Sequence, residues 1–196
     1  GIKVANPDLT VVAVGGDGTL REVLDGLLDS EIPVAVVPLG TANVLALDLE
    51  LPRDVDRVLD VVLETMGMEA GEVWLLAPGE KELWPYRQRG FTPAAFREKM
   101  SFPLGEGFPG IAAQSGKPIF TCDLAHEARF IRRGIVEAGF TCFGAIPLLR
   151  GEEVIGAMTV GSRHMRAISD AETEFLVSLG RNLALLLQPL VGGEKG

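Results

Sequence analysis

The chain contains 196 residues, of which 47% are hydrophobic and 23% charged, and its net charge is −9. This acidic balance argues against binding to nucleic acid, whose phosphates attract clustered Lys and Arg. The densest basic group, Arg129, Arg132 and Arg133, has helical spacing, and we interpret it as a solvated face. No stretch approaches the roughly 20 apolar residues of a membrane span, and the first residues do not resemble a signal peptide, so we expect a cytoplasmic location.

A short apolar strand near the start of the chain, residues 11–14, is followed by a glycine-rich turn and an amphipathic helix. Glycines allow backbone angles that side chains forbid, and they let an anion come close to the main chain. Backbone N–H groups at such a helix start are typical of phosphate binding, and Asp17 and Thr19 add a carboxylate and a hydroxyl. The turn consists of Gly15, Gly16, Asp17, Gly18 and Thr19.

Residues 33–46 repeat this arrangement, because a second apolar strand opens into a Gly-Thr turn and another helix. The two motifs together resemble the nucleotide-binding lobe of the diacylglycerol kinase superfamily over about residues 6–53. The resemblance implies that the first turn contacts the phosphates of ATP and that Glu22 lies in the helix after it. It also implies a second nucleotide-facing turn, which contains Gly40, Thr41 and Asn43.

Kinases of this superfamily continue into a large β-rich lobe with acceptor-site and metal-binding carboxylates, which the sequence after residue 66 does not resemble. Phosphoryl transfer needs a positioned acceptor, a base and usually Mg²⁺ ligands. We therefore expect the front segment, residues 1–53, to be inactive alone, and we assign no catalytic residue. ATP and Mg²⁺ are expected as cofactors only if this segment functions.

From about residue 54 the sequence shows a series of landmarks in a fixed order. An opening helix is followed by two strands with a tight turn between them, and then by a Leu-Gly-Glu-Gly turn that leads into a short helix. Two long apolar strands and a final helix capped at Ser169 complete the series. These landmarks resemble a GAF domain, the small-molecule sensor and dimerisation module of bacterial signalling proteins. They fall at residues 54–66, 72–76, 86–90, 102–119, 123–130, 145–148, 154–160 and 171–187.

The predicted fold class is α/β, or α+β overall: a GAF-type central antiparallel sheet flanked by helices, preceded by a partial β-α-β-α Rossmann-like segment. We divide the chain into a partial diacylglycerol kinase catalytic-domain-like segment at residues 1–53, a GAF domain at 54–190 and a C-terminal tail at 191–196. No linker separates the first two parts. Because two parallel strands alone leave both sheet edges unpaired, we expect residues 1–53 to pack on the GAF domain or on another copy of the chain.

A ligand pocket in the GAF domain would be lined by the concave face of the sheet and by the helix and loop that cover it. The sequence leaves open whether the large side chains at such positions line a pocket or fill a core. It does not identify the ligand, and the Asn-Lys-Phe-Asp-Glu signature of cyclic-nucleotide-binding GAF domains is absent. The pocket candidates are Trp74, Tyr86, Phe130, Phe143 and Met158.

The final helix carries a broad apolar stripe. In GAF proteins the first and last helices often form a dimer bundle, so the resemblance implies a homodimer, and packing within one chain is the alternative. The stripe consists of Phe175, Leu176, Leu179, Leu183, Leu186 and Leu187.

Two cysteines and two histidines are the remaining residues with redox or metal-binding chemistry. Cys122 follows a short strand and Cys142 precedes another, and we interpret both as half-buried residues rather than as a disulfide or a metal site. Their spacing does not match that of the GAF proteins that reduce free methionine sulfoxide. His126 and His164 lack a second ligand at coordinating spacing, so no metal site is predicted.

These features favour a GAF-type sensory and regulatory module for small-molecule binding and signalling, which carries a truncated lipid-kinase-like nucleotide-binding segment. The alternative is an ATP-dependent lipid kinase of the diacylglycerol type that is regulated by its GAF domain. The alternative requires a second catalytic lobe that this sequence does not contain, so the enzymatic activity of the chain stays open.

Overall fold

The computed structural model describes residues 11–15, 22–23, 26–27, 34–38, 55–77, 79–91, 94–164 and 167–187. In the front segment, strands β1 (Val11–Gly15) and β2 (Val34–Pro38) pair in parallel, with Val11 opposite Val34. Residues 22–23 and 26–27, between the two strands, are helical. Parallel strands need a crossover between them, and a helical crossover is the β-α-β arrangement that the two motifs predict.

The rest of the described chain mixes helices with strands. Its first helix, α1, spans Val55–Met66, and its last, α4, spans Asp170–Leu186. The strands are β3 (Ala70–Leu76), β4 (Glu82–Gly90), β5 (Phe102–Pro103), β6 (Ile119–Thr121), β7 (Cys142–Arg150) and β8 (Glu153–Ser162). The short helices are α2 (Gly107–Ser115), α3 (Arg133–Glu137) and a 3-10 turn at Ala94–Arg97. None of the described helices is long and apolar enough to cross a membrane.

The strands β3 to β8 form one antiparallel sheet in the order β5-β4-β3-β8-β7-β6. Strands β3 and β8 lie at its centre, and the hairpin of β7 and β8 runs from Cys142 opposite Ser162 to Arg150 opposite Glu153. The prediction of a central antiparallel sheet flanked by helices is therefore confirmed.

Helices α1 and α4 cover one side of the sheet, which we call the first face. The apolar residues of α1 recur at three- and four-residue spacing, so they form one buried stripe that packs on the sheet. Helix α4 begins with a capping box, in which the Ser169 hydroxyl accepts from the Glu172 N–H at 3.2 Å and the Glu172 carboxylate accepts from the Ser169 N–H at 2.8 Å. The sheet contributes Val73, Ile146, Leu148, Ile155, Met158 and Val160 to this core.

The apolar stripe of α4 is largely buried within the chain. Its central leucines lie in the core of the first face, and the side chains at its margins are partly buried against that core. Packing within one chain therefore accounts for the stripe, and homodimerisation stays a prediction. The core leucines are Leu176, Leu179, Leu183 and Leu187, and the marginal residues are Phe175 and Leu186.

The second face of the sheet is covered by α2, α3 and the 3-10 turn. Side chains alternate along a strand, so Trp74 on β3, Phe143 on β7 and Ala157 on β8 point to this face while their neighbours point to the first. The covering segments add aromatic side chains, which are Phe96, Phe108, Phe130 and Phe140.

Helix α2 approaches the sheet closely because of a glycine. A Cβ on Gly110 would lie 2.1 Å from the carbonyl oxygen of Pro103 in β5, so a larger residue cannot take this position without a shift. The N–H of Gly105 donates to the carbonyl oxygen of Gly110 at 2.8 Å. These contacts hold the turn before α2 against the helix that it leads into.

The front segment contacts the rest of the chain through β1. Cα atoms of β1 lie within 8 Å of Cα atoms of α4. The unpaired strand edges lead us to expect that the front segment packs either on the rest of its own chain or on another copy. The contact of β1 with α4 is packing of the first kind.

Candidate functional site

The second face of the sheet holds a buried ion pair. Along β3, Glu72 and Trp74 point to this face, whereas Val73 between them points to the first face. The Glu72 residue is 3% exposed. A buried carboxylate needs a charged partner and further hydrogen bonds, because removal of an ion from water is costly.

Arg132, just before α3, is the partner of Glu72. Its Nη1 and Nη2 groups donate to the two carboxylate oxygens at 2.9 and 2.7 Å, and Thr159 Oγ1 donates to the same carboxylate at 2.8 Å. The Arg132 side chain is 1% exposed. The interpretation of Arg132 as part of a solvated basic face is therefore wrong, although Arg129 and Arg133 are exposed as expected.

Five aromatic rings surround the guanidinium of Arg132. Their centroids lie 5.4–5.9 Å from its central carbon, a distance at which a cation is attracted to a ring face. Within the described part of the chain, the buried indole N–H of Trp74 has no acceptor. The site thus holds a planar cation, the guanidinium of Arg132, between the Glu72 carboxylate and the aromatic rings. This cation is part of the chain and not a bound ligand. The rings are those of Trp74, Phe96, Phe102, Phe130 and Phe143.

A cavity of about 180 Å³ lies next to the ion pair, between β3, β4 and the 3-10 turn. Glu72, Trp74 and Phe96 belong both to its wall and to the surroundings of the Arg132 guanidinium. Aromatic walls with a few charged groups are typical of small-molecule sites. The rest of the wall consists of Pro85, Tyr86, Arg87, Gln88, Arg97 and Met100.

The structure brings some of the pocket candidates together and separates another. Trp74, Phe130 and Phe143 all border the Arg132 guanidinium. Tyr86 lines the adjacent cavity, but it also packs against the core of the first face. Met158 lies on the opposite side of the sheet, where it is buried in the core of the first face.

The candidate nucleotide residues lie mostly outside the described residues. Gly15 ends β1, and Glu22 is helical and exposed. The nucleotide site therefore stays a prediction from sequence. The candidates outside the described residues are Gly16, Asp17, Gly18, Thr19, Gly40, Thr41 and Asn43.

Cys122 and Cys142 form a disulfide, so the interpretation of both as unpaired is wrong. Cys122 is half-buried as expected, whereas Cys142 is fully buried. The physical reason for the disulfide is the register of the antiparallel pair β6 and β7, in which Thr121 lies opposite Phe143. Cys122 follows Thr121 and Cys142 precedes Phe143, so the two cysteines lie opposite each other. Across the described ranges, no group of three or more His, Cys, Asp and Glu side chains is placed to hold a metal ion.

Exposed ion pairs lower the pKa of carboxyl groups outside the cavity. The guanidinium of Arg129 donates to Glu127 at 2.8 Å and lowers the pKa of that carboxyl to about 2. Arg89 on β4 donates to Asp60 on α1 at 2.8 Å and lowers the pKa of Asp60. This second pair ties an outer strand to the helix that crosses the first face.

Sequence analysis missed the polar centre of the site, which is formed by Glu72, Arg132 and Thr159. One signal was present, because Glu72 has the same strand parity as Trp74 and so shares its buried face. No local pattern identifies the partner, since Arg132 lies 60 residues further along the chain.

An antiparallel sheet with helices on both faces and a pocket on one of them is the architecture of the class of GAF-type domains. Residues 51–188 match the family model described as GAF domain. This match covers well over half of the chain, and the chain therefore belongs to the GAF domain family.

Solved GAF structures share this fold. The GAF domain of an Acinetobacter phosphoenolpyruvate-protein phosphotransferase aligns with a TM-score of 0.57 at 21% identity, covering 70% of this chain and 83% of that one. Free methionine-R-sulfoxide reductase from Neisseria meningitidis, solved in complex with its substrate, aligns with a TM-score of 0.59 at 17% identity, covering 74% and 84%. At these identities the likeness concerns the fold alone.

A second family model, the diacylglycerol kinase catalytic domain, matches residues 3–72. The diacylglycerol kinase of Staphylococcus saprophyticus is 38% identical over 56 residues, which is 28% of this chain and 18% of that kinase. The kinase of Staphylococcus aureus strain JH9 is 39% identical over 56 residues. The chain thus carries a partial kinase catalytic segment beside its GAF domain, and the match spans 18% of the length of these curated relatives.

Proposed function

We propose that the GAF domain senses a small molecule, which binds in the cavity beside the Glu72–Arg132 pair. The observation that carries this proposal is the cavity of about 180 Å³ on the second face, one wall of which belongs to a buried ion-pair site. We take residues 54–190 as the sensing unit, residues 1–53 as the kinase-like segment and residues 191–196 as a tail.

The lining of the cavity indicates the class of ligand. Its volume of about 180 Å³ is below the ~300–1,000 Å³ that drug-sized ligands occupy, so the ligand is small. Trp74 and Phe96 belong to the wall and make part of it aromatic. The Glu72 carboxylate is already paired with Arg132, whereas Arg97 has no ion-pair partner among the described residues. A small carboxylate with a flat or branched apolar body therefore fits the wall.

Fluorescence titration with small carboxylates tests this proposal. The probes are benzoate, phenylacetate and isovalerate, with benzamide as the uncharged control. Trp84 is 51% exposed, and a Trp84→Phe background leaves the buried Trp74 as the reporter, because the chain has two tryptophans. We expect saturable quenching by at least one carboxylate and none by benzamide.

A pair of variants locates the binding site. The cavity wall contains two arginines, and Arg87 is paired with Asp56 at 3.6 Å. Arg97→Gln removes the other cation and should weaken carboxylate binding about tenfold, or 1.4 kcal/mol. Lys117→Gln removes an exposed cation that does not line the cavity and should leave binding unchanged. Equal effects of the two variants, or no saturable binding to the folded protein, would contradict the proposed site.

Nucleotide binding by the front segment is a second candidate function. It is favoured by the match of residues 3–72 to the kinase model and by the 38% identity to a diacylglycerol kinase. Isothermal titration with ATP and Mg²⁺ tests it, with Asp17→Ala as the matched variant. Binding that the variant loses would support a nucleotide site, and with it the proposal of a lipid kinase regulated by its GAF domain. No heat of binding from the folded protein would leave the segment a structural remnant.

Two further proposals concern assembly and location. We propose that the module forms a homodimer, as its family resemblance implies, and that it is cytoplasmic. Light scattering after size-exclusion chromatography measures the first: a mass near twice 20.9 kDa supports a dimer, and the mass of a single chain contradicts it.

A further inference from the structure

The Cys122–Cys142 disulfide joins two residues that differ in solvent exposure. Cys142 begins β7 and is 1% exposed, whereas Cys122, just beyond the end of β6, is only partly buried. Cys122 is therefore the more accessible residue of the pair, and we take its sulfur as the point of attack for an incoming thiolate. Displacement at Cys122 makes Cys142 the leaving group.

A hollow of about 250 Å³ lies beside Cys122. Cys122 lines it, and Cys142 does not. Its volume suits a small thiol compound rather than a folded protein. The rest of its wall consists of Asp123, Leu124, Ala125, Val136, Gly139, Phe140 and Thr141.

The disulfide closes the segment that covers the second face. Residues 123–141, which we call the strap, run from one cysteine to the other, over a sequence separation of 20. The strap carries Phe130 and Arg132, and the guanidinium of Arg132 crosses to Glu72 on the sheet. A covalent bond between the ends of the strap thus limits how far the covering side chains can move from the sheet.

We propose that Cys122–Cys142 is a thiol–disulfide exchange site, and that its oxidation state sets how tightly the strap covers the second face. The reductant is a small dithiol. One of its thiolates attacks Sγ of Cys122, the bond between the two cysteine sulfurs breaks, and its electron pair goes to Sγ of Cys142, which takes a proton. The second thiol then attacks the mixed disulfide and releases Cys122 as a thiol. The dithiol leaves as a cyclic disulfide, so two electrons and two protons have passed to the protein.

The reverse reaction uses a small-molecule disulfide as the oxidant, which accepts the same two electrons. Neither direction depends on the ligand of the adjacent cavity. The exchange site can therefore be tested in the full chain without any ligand.

Hydrogen exchange measured by mass spectrometry tests the coupling between the disulfide and the strap. The full chain is compared after treatment with oxidised glutathione and after treatment with dithiothreitol, and alkylation counts the free thiols in each sample. Reduction should free both cysteines without denaturant and speed the exchange of strap amides about tenfold, while α1 amides stay unchanged. The Cys122→Ser/Cys142→Ser double variant should exchange like the reduced chain in either buffer.

Single variants test which sulfur is attacked. With Cys142→Ser, the remaining Cys122 should take up one glutathione per chain from oxidised glutathione under native conditions. With Cys122→Ser, the buried Cys142 should take up none unless the protein is unfolded. These two variants have the same chemistry at opposite positions, so each is the control for the other.

Three results would overturn the proposal. The first is the absence of a disulfide in the oxidised chain. The second is a disulfide that dithiothreitol reduces only in denaturant, which would make it a static crosslink. The third is reduction that leaves strap exchange unchanged in both the wild-type chain and the double variant.

Discussion

Loss of one member of the Glu72–Arg132 pair should destabilise the protein strongly. Arg132→Met keeps much of the apolar volume but removes two charge-assisted hydrogen bonds at 2.9 and 2.7 Å, each worth about 1.5–3 kcal/mol. It also leaves the Glu72 carboxylate, with a side chain 4% exposed, without its cation. Removal of one partner from a buried pair costs about 3–5 kcal/mol, and we expect this loss for Arg132→Met.

The double variant Glu72→Met/Arg132→Met separates the ion pair from the cost of an unpaired charge. It removes both charges and fills the ring-lined space with apolar side chains. The hydroxyl of Thr159 loses its carboxylate acceptor, which costs about 1–3 kcal/mol. We therefore expect the double variant to be more stable than Arg132→Met alone, with a favourable coupling energy of about 2 kcal/mol or more.

Urea denaturation followed by far-UV circular dichroism measures these free energies of unfolding. Arg129→Met is the matched control, because Arg129 is 55% exposed and pairs with Glu127 at the surface. That variant should lose less than about 1 kcal/mol. The reasoning is refuted if Arg132→Met costs no more than Arg129→Met, or if the double variant loses the sum of its two single losses.

Three smaller effects can be measured by the same denaturation assay. Gly110→Ala should cost about 1–3 kcal/mol because its Cβ must displace Pro103, whereas Gly26→Ala, which has no neighbouring atom within 4 Å of its Cβ, should not destabilise the protein. Ser169→Ala should cost about 1 kcal/mol, since it removes the side-chain cap of α4, and an unchanged midpoint would contradict the role of the cap. Glu127 has a folded-state pKa of about 2 against an ordinary 4.5, so its contribution is present above pH 4.5 and is lost as the pH falls toward 2. Glu127→Gln should therefore lower stability by less than about 1 kcal/mol at neutral pH, with the difference vanishing near pH 2; a pH-independent difference would exclude this linkage.

The sequence predicted the fold where the signal was local and periodic. The apolar spacing of α1 reports which side of that helix is buried, and the short apolar runs at residues 72–76, 145–148 and 154–160 mark the strands β3, β7 and β8. The capping pattern at Ser169 marked the start of α4, which the structure has at Asp170. Such features need only a few neighbouring residues, so a single sequence contains them.

The polar centre of the site could not be predicted from the sequence, because it depends on the register between segments that are distant along the chain. Arg132 looked like one member of a surface basic group, and only its position beside β3 shows that it is buried against Glu72. The two cysteines face each other because β6 and β7 pair in one particular register, which neither strand determines by itself. Pairings of this kind arise from the whole topology rather than from a local pattern.

The antiparallel sheet ends in short strands at both of its edges. On one side β5 has only Phe102 and Pro103, and proline has no N–H to donate, while on the other side β6 is three residues long. Exposed strand edges are the templates on which copies of a protein join into fibrils, and long flat edges are the most dangerous. In the described sheet, however, β5 pairs only with Glu82 and Leu83 of β4, and β6 pairs only with residues 143–145 of β7. The remaining outer edges of these two long strands have no described strand beside them, so edge-to-edge pairing between copies of the protein would begin there rather than at the short strands.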